Sequence, residues 1–132
     1  MSGNILTAFN DHFVEFVTDI QSVFPEDVDL LTAKNSLLMI RKMNPKMIIK
    51  IWKSHIVDKY TQQIEVGDWT FFMEKDYSTD LLNNKFSGSD KIMDGINRLR
   101  EPIKNMSKDN QEKSMKYIQN LSKLCKIYEQ NT

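Results

Sequence analysis

Apolar residues recur along this chain at the three-to-four spacing of helices. From Asn4 to Val23, the residues Ile5, Leu6, Phe9, Phe13, Phe16, Val17, Ile20 and Val23 fall within an arc of about 120° at 100° per residue. That is the stripe of a helix with one buried face. Asn4 is the expected N-cap, and Phe24-Pro25 ends the element because a residue preceding proline is pushed out of the helical region. Asp27 or Asp29 caps a second helix through Met43, with Leu30, Ala33, Leu37 and Ile40 on one side. Asn44-Pro45 then reads as an N-cap followed by proline at the first helical position. The third helix runs to about Gln62, with Met47, Ile48, Ile51, Trp52, His55 and Ile56 on a wide apolar arc and Lys46, Lys50 and Lys53 opposite.

Residues 63–73 admit two readings. Apolar and polar positions alternate around Gly67-Asp68, as in a hairpin. Alternatively Gly67 closes the third helix and Asp68 caps a short one through Trp69, Phe72 and Met73. The helical version is favoured, since both flanks are helical and a lone hairpin is marginally stable. Residues 76–89 hold the main loop, with Asn83-Asn84 and Ser87-Gly88-Ser89 as turn chemistry. Ser89 caps the next helix, whose Ile92, Ile96, Leu99 and Ile103 keep one face across Pro102 and so predict a kinked helix. Ser107 opens the last, with Tyr117, Ile118, Leu121, Leu124, Cys125 and Tyr128 on one side and Lys113, Lys116, Lys123 and Lys126 on the other. The expected fold is an all-α, compact irregular bundle of five or six helices, one domain over residues 1–132.

Charge modifies this picture in one respect. The 18 Lys+Arg and 18 Asp+Glu cancel, which excludes a strongly basic nucleic-acid coat. Their placement is uneven. Residues 1–40 hold Asp11, Glu15, Asp19, Glu26, Asp27 and Asp29 against Lys34, whereas residues 41–63 hold Arg41, Lys42, Lys46, Lys50, Lys53 and Lys59 against Asp58. Such asymmetry serves either head-to-tail contact between molecules or, the favoured reading, internal complementation.

Candidate chemistry is sparse. Nucleophilic catalysis needs a hydroxyl or thiol with an oriented base, and neither His12 nor His55 has a local signature for it. His55, within an apolar arc, is expected to be a core histidine with a satisfied hydrogen bond. No G-x-S-x-G, P-loop or dinucleotide fingerprint occurs among the four glycines. Asp27-Val28-Asp29 lacks the glycine and closing glutamate of a calcium loop, and Glu74, Asp76 and Asp80 read as solvated loop acids. The single cysteine, Cys125, excludes an internal disulfide and lies on an apolar side, as an inert small hydrophobe. No cofactor or metal is therefore expected, and no enzymatic activity. Asp11 and Glu15 interrupt any apolar leader region. The longest bulky apolar run, Leu37 to Ile40, falls far short of the roughly 20 residues that span a bilayer.

Three stretches carry a resemblance: Asn44-Pro45-Lys46-Met47-Ile48-Ile49-Lys50-Ile51-Trp52, Asp68-Trp69-Thr70-Phe71-Phe72-Met73-Glu74-Lys75-Asp76-Tyr77 and Arg98-Leu99-Arg100-Glu101-Pro102-Ile103. They resemble small, functionally unassigned proteins of large nucleocytoplasmic DNA viruses that infect algae and other protists, over about Phe9 to Tyr128. Eleven Asn, thirteen Ile and only two Ala agree with an AT-rich coding source. The resemblance implies a product of a large icosahedral particle or its factory, in the virion or the host-cell cytoplasm, and transfers no site residues.

The expected function is a non-enzymatic protein–protein interaction module, a minor structural or scaffolding, capsid-associated component. Capsid proteins or copies of itself would be the partners. Trp69 and Phe72 are candidate contacts because aromatics are enriched at interface hot spots. The lysine faces, Lys46, Lys50 and Lys53 on one helix and Lys113, Lys116 and Lys123 on another, complete the candidate set. They also support the alternative of a nucleic-acid-associated accessory protein, although arginine, the better fork for phosphate, occurs only three times. A further alternative is an intracellular regulatory adaptor.

Overall fold

A computed structural model describes residues 2–68 and 89–130. They form α1 (Ser2–Val23), α2 (Val28–Met43), α3 (Met47–Trp52), a π-helical turn (Lys53–Val57), α4 (Asp58–Glu65), α5 (Ser89–Lys104) and α6 (Lys108–Gln130). The segments α3, π turn and α4 follow without a break. The described chain is thus five helical rods, with no strand among the described residues. The all-α bundle expected from the apolar spacing is the fold observed.

The core is the set of stripes turned inward. Phe9, Phe13, Phe16, Val17 and Ile20 of α1 are buried, as are Ile92, Ile96, Leu99 and Ile103 of α5 and Ile118, Leu121 and Cys125 of α6. α1 packs chiefly on α6 and α2, and α2 chiefly on α5. Trp52, fully buried, sits where these layers meet. Its ring stands edge-on to Phe13 at 5.8 Å and to Phe9 at 6.5 Å, the offset geometry that aromatic quadrupoles prefer.

Local chemistry sets most of the boundaries. Asp27 caps α2, its Oδ1 accepting the Leu30 amide at 3.2 Å. Ser107 caps α6, its Oγ accepting the Asn110 amide at 3.3 Å. Gly67 adopts φ +76°, and the Asp68 amide reaches back to the Gln63 carbonyl at 2.8 Å while the Gly67 amide reaches Ile64 at 3.2 Å. This is the Schellman closure of α4. Residues 63–65 are therefore helical, and the hairpin alternative loses its first strand. Trp69, Phe72 and Met73 lie outside the described residues, as does the main loop up to residue 88. Pro102 lies inside α5 with the stripe unbroken, and Gln111 Nε2 donates to the carbonyls of Ile103 and Lys104 at 3.1 and 3.2 Å, supplying partners at that helix end.

Three expectations are corrected. α1 begins at Ser2, so Asn4 is an exposed residue inside the first turn, not the cap. Asn44 does not start the third helix. It ends α2, its amide bonding the Ile40 carbonyl at 2.7 Å, and α3 begins only at Met47 after a turn through Pro45. Asn10, buried on α1, holds that turn by donating to the Pro45 carbonyl at 2.9 Å. His55 is half-buried, not core. It lies one turn after the rim residue Ile51, within a π turn whose Asp58 amide bonds the Lys53 carbonyl five residues back. One residue more per turn rotates the positions that follow, which brings Val57 inside with Ile56; ahead of the turn Ile48, Ile49 and Trp52 are buried, and Met47, Ile51 and His55 lie at the rim.

Candidate interaction surface

α2 is apolar on two sides. Leu30, Ala33 and Leu37 face the core, and Gly95 of α5 allows the close approach: a Cβ there would lie 3.2 Å from Leu37 Cγ. On the opposite side Val28, Leu31, Leu38, Met39 and Met43 are exposed, by 72%, 45%, 37%, 64% and 79%. At 100° per residue these five span an arc of about 140°. They are five of the eight large apolar side chains that stand exposed among the described residues. Apolar residues scattered singly over a surface are ordinary, whereas five gathered on one face of one helix, here with Thr32, Asn35 and Lys42 among them, mark a contact site.

The surroundings give the stripe polarity along its length. Asn35, Thr32 and Lys42 are exposed within or beside it. The acidic residues Glu26, Asp27 and Asp29 stand at the N-terminal end, and Arg41 and Lys42 at the C-terminal end. Both placements complement the helix dipole. Beside the N-terminal end a shallow concavity of about 450 Å³ is lined by Val23, Phe24, Pro25, Glu26 and Asp27.

The lysine candidates are divided between two helices. Lys46 and Lys50 are exposed on α3 and its leading turn, and Lys116 and Lys123 on α6. Lys53 is engaged by its own chain at the surface, with its Nζ 3.1 Å from Asp58 Oδ2 and 3.5 Å from Glu129 Oε1. The hydrogen bond to Asp58 raises it above the ordinary lysine range. Lys113 is raised likewise by its hydrogen bond to Asp19, at 3.1 Å. Lys123 lines a separate surface concavity with Ile64, Glu65, Gln119, Ser122 and Lys126. Trp69 and Phe72 fall outside the described residues.

The acidic N-terminal third is complemented from within. Asp11 pairs with Arg41, Asp29 with Arg98 at 3.3 Å and Asp19 with Lys113 at 3.1 Å. Of these cations Arg41 comes from the basic segment 41–63, and Arg98 and Lys113 come from α5 and α6. The stripe on α2 was missed in the sequence because its residues interleave with the core set. Its signal was present: Val28, Leu31, Leu38, Met39 and Met43 share one side at 100° per residue. No family model, no curated protein and no solved structure matches this chain.

Proposed function

We propose that the chain is a non-enzymatic protein–protein interaction module whose contact surface is the outer face of α2. The observation that carries this reading is the stripe of Val28, Leu31, Leu38, Met39 and Met43 left exposed on a helix whose other side is fully engaged in the core. Burying those side chains on a partner removes apolar area from water at about 25 cal/mol per Å². Two methionines in the stripe supply side chains flexible enough to fit an irregular partner. The narrower reading, a scaffolding component associated with the capsid of a large DNA virus, is supported by the resemblance of the three sequence stretches.

A photoreactive residue in place of Met39, introduced in the cells that naturally make the protein, tests the reading. The expected result is a discrete crosslinked species from that position and none from the same residue in place of Asn120, which is exposed on α6. Equal crosslinking from both positions, or none from either, overturns it.

A further inference from the structure

We infer that the partner seated on α2 is a second copy of this chain, docked antiparallel across a two-fold axis that passes beside Asn35; the inference rests on the interaction reading above.

Asn35 is the centre about which the Leu31–Met39 pair reflects onto itself, four residues to either side; Thr32 and Leu38 lie three residues away and Val28 and Lys42 seven. An isologous contact requires such self-complementarity, since each patch must fit its own copy. In the antiparallel register Leu31 of one copy meets Met39 of the other, twice. The exposed Asn35 meets its own counterpart, and an amide, being both donor and acceptor, can satisfy its own copy. A single polar residue inside an apolar helix seam fixes register in this way.

Charge selects the orientation. Asp29 and Arg41 are each engaged within their own molecule, with Arg98 and Asp11, and Asp27 caps α2. Glu26 and Lys42, both exposed, remain at opposite ends of the stripe. Antiparallel docking sets Lys42 of one copy across from Val28 of the next, two residues along from Glu26 and within a lysine's reach of it, and opposes the two helix dipoles favourably. Parallel docking would set like charge against like. Met43, the most exposed residue of the stripe, would then project towards the concavity formed by Val23, Phe24 and Pro25 of the other copy. One pair of helices about 24 Å long makes an interface at the small end of the range, so the dimer is weak and concentration-dependent.

Sedimentation of the full chain over a wide concentration range tests this. The mass should rise from 15.5 kDa towards twice that value. Met39→Glu, on an exposed side chain with the circular dichroism unchanged, should weaken the association roughly tenfold or more, equivalent to about 1.4 kcal/mol. Lys42→Glu and Glu26→Lys should each weaken it, and the double exchange should restore it, because the two residues meet only between copies. Asn35→Cys should give a disulfide-linked dimer on mild oxidation, and Lys116→Cys should not. A chain that remains monomeric throughout, or a dimer indifferent to Met39→Glu, overturns the inference. If the chain is monomeric while position 39 still crosslinks a different protein, self-pairing fails and the interaction reading survives. If neither association is found, both fail.

Discussion

Trp52 and Ser122 meet in the interior although 70 residues separate them, the indole Nε1–H donating to the hydroxyl at 3.3 Å. The hydroxyl itself donates to the Ile118 carbonyl at 2.8 Å, so its acceptor site is turned towards the indole. Both side chains are buried, and the contact joins α3 to α6 through a directional bond inside a largely apolar core. Ser122→Ala removes the acceptor and leaves the donor buried, a loss expected to cost about 1–3 kcal/mol. Urea denaturation should show it against Ser54→Ala. Ser54 Oγ donates to the Lys50 carbonyl on the surface, and its removal should change stability by no more than about 0.5 kcal/mol. Equal effects of the two substitutions would show that the buried bond adds nothing.

Gly67 is the one described residue with positive φ, at +76°, and it closes α4 by the paired bonds from Asp68 to Gln63 and from Gly67 to Ile64. A side chain there has room, since its Cβ would meet only Gln119 Nε2 at 3.7 Å. The penalty of Gly67→Ala is therefore conformational, about 1–2 kcal/mol from the left-handed backbone alone. Gly67→Asn should recover part of it because asparagine tolerates that region. Chemical denaturation of the two variants measures the difference. Equal losses would mean that crowding, not backbone conformation, sets the cost.

These two sites also show what was legible beforehand. The helix stripes were, because burial is a property of a whole face: Phe9, Phe13, Phe16 and Ile20, or Ile92, Ile96, Leu99 and Ile103, identify themselves by spacing. Gly67 as a helix end followed from its lack of a Cβ. The π turn at Lys53–Val57 has no composition of its own, so the burial of Val57 beside Ile56 could not be anticipated from a regular 100° spacing. Asn44 fits the end of one helix and the start of another equally well by local chemistry. Arg100 is buried at 2% exposure with Nε donating to Asn97 at 2.7 Å, and such burial depends wholly on tertiary partners. On α2, both sides are apolar, and only the docking of α5 decides which becomes core and which becomes contact surface.

Cys125 carries a pH dependence of definite sign. It is 2% exposed, with Sγ 3.7 Å from the Ile49 carbonyl. Burial, reinforced by the nearby Glu129 carboxylate, pushes its thiol from 9.0 up to about 12. Between those values the unfolded chain has released a proton that the folded chain keeps, so stability falls as pH rises. The contribution is complete below pH 9 and is lost by about 12, at up to about 1.4 kcal/mol per pH unit. Cys125→Ala should lack this slope, and the stability gap between the two proteins should narrow on going from pH 8 to 11. Curves that stay parallel would contradict the buried neutral thiol. The same burial predicts that iodoacetamide modifies the folded protein far more slowly than the unfolded one.

The acidic residues Asp11 and Asp29 each reach a distant arginine, Arg41 on α2 and Arg98 on α5. Their side chains are 63% and 78% exposed, so solvent screens both pairs, and each is expected to add less than about 1 kcal/mol. The double substitution Asp11→Asn with Asp29→Asn should therefore cost no more than about 1–2 kcal/mol at low salt. That cost should shrink towards zero in molar salt, where the screening length falls to about 3 Å. A loss that salt leaves untouched would mean the carboxylates act through hydrogen bonding or packing instead. The same variant separates the two uses of charge in this molecule. Because Asp11 and Asp29 are spent on contacts within one chain, neutralising them should leave concentration-dependent association as it was, whereas reversing Lys42 should weaken association and leave the unfolding midpoint nearly unmoved. The opposite pattern would place the intermolecular charge contact at the N-terminal acids and would require the docking register on α2 to be redrawn.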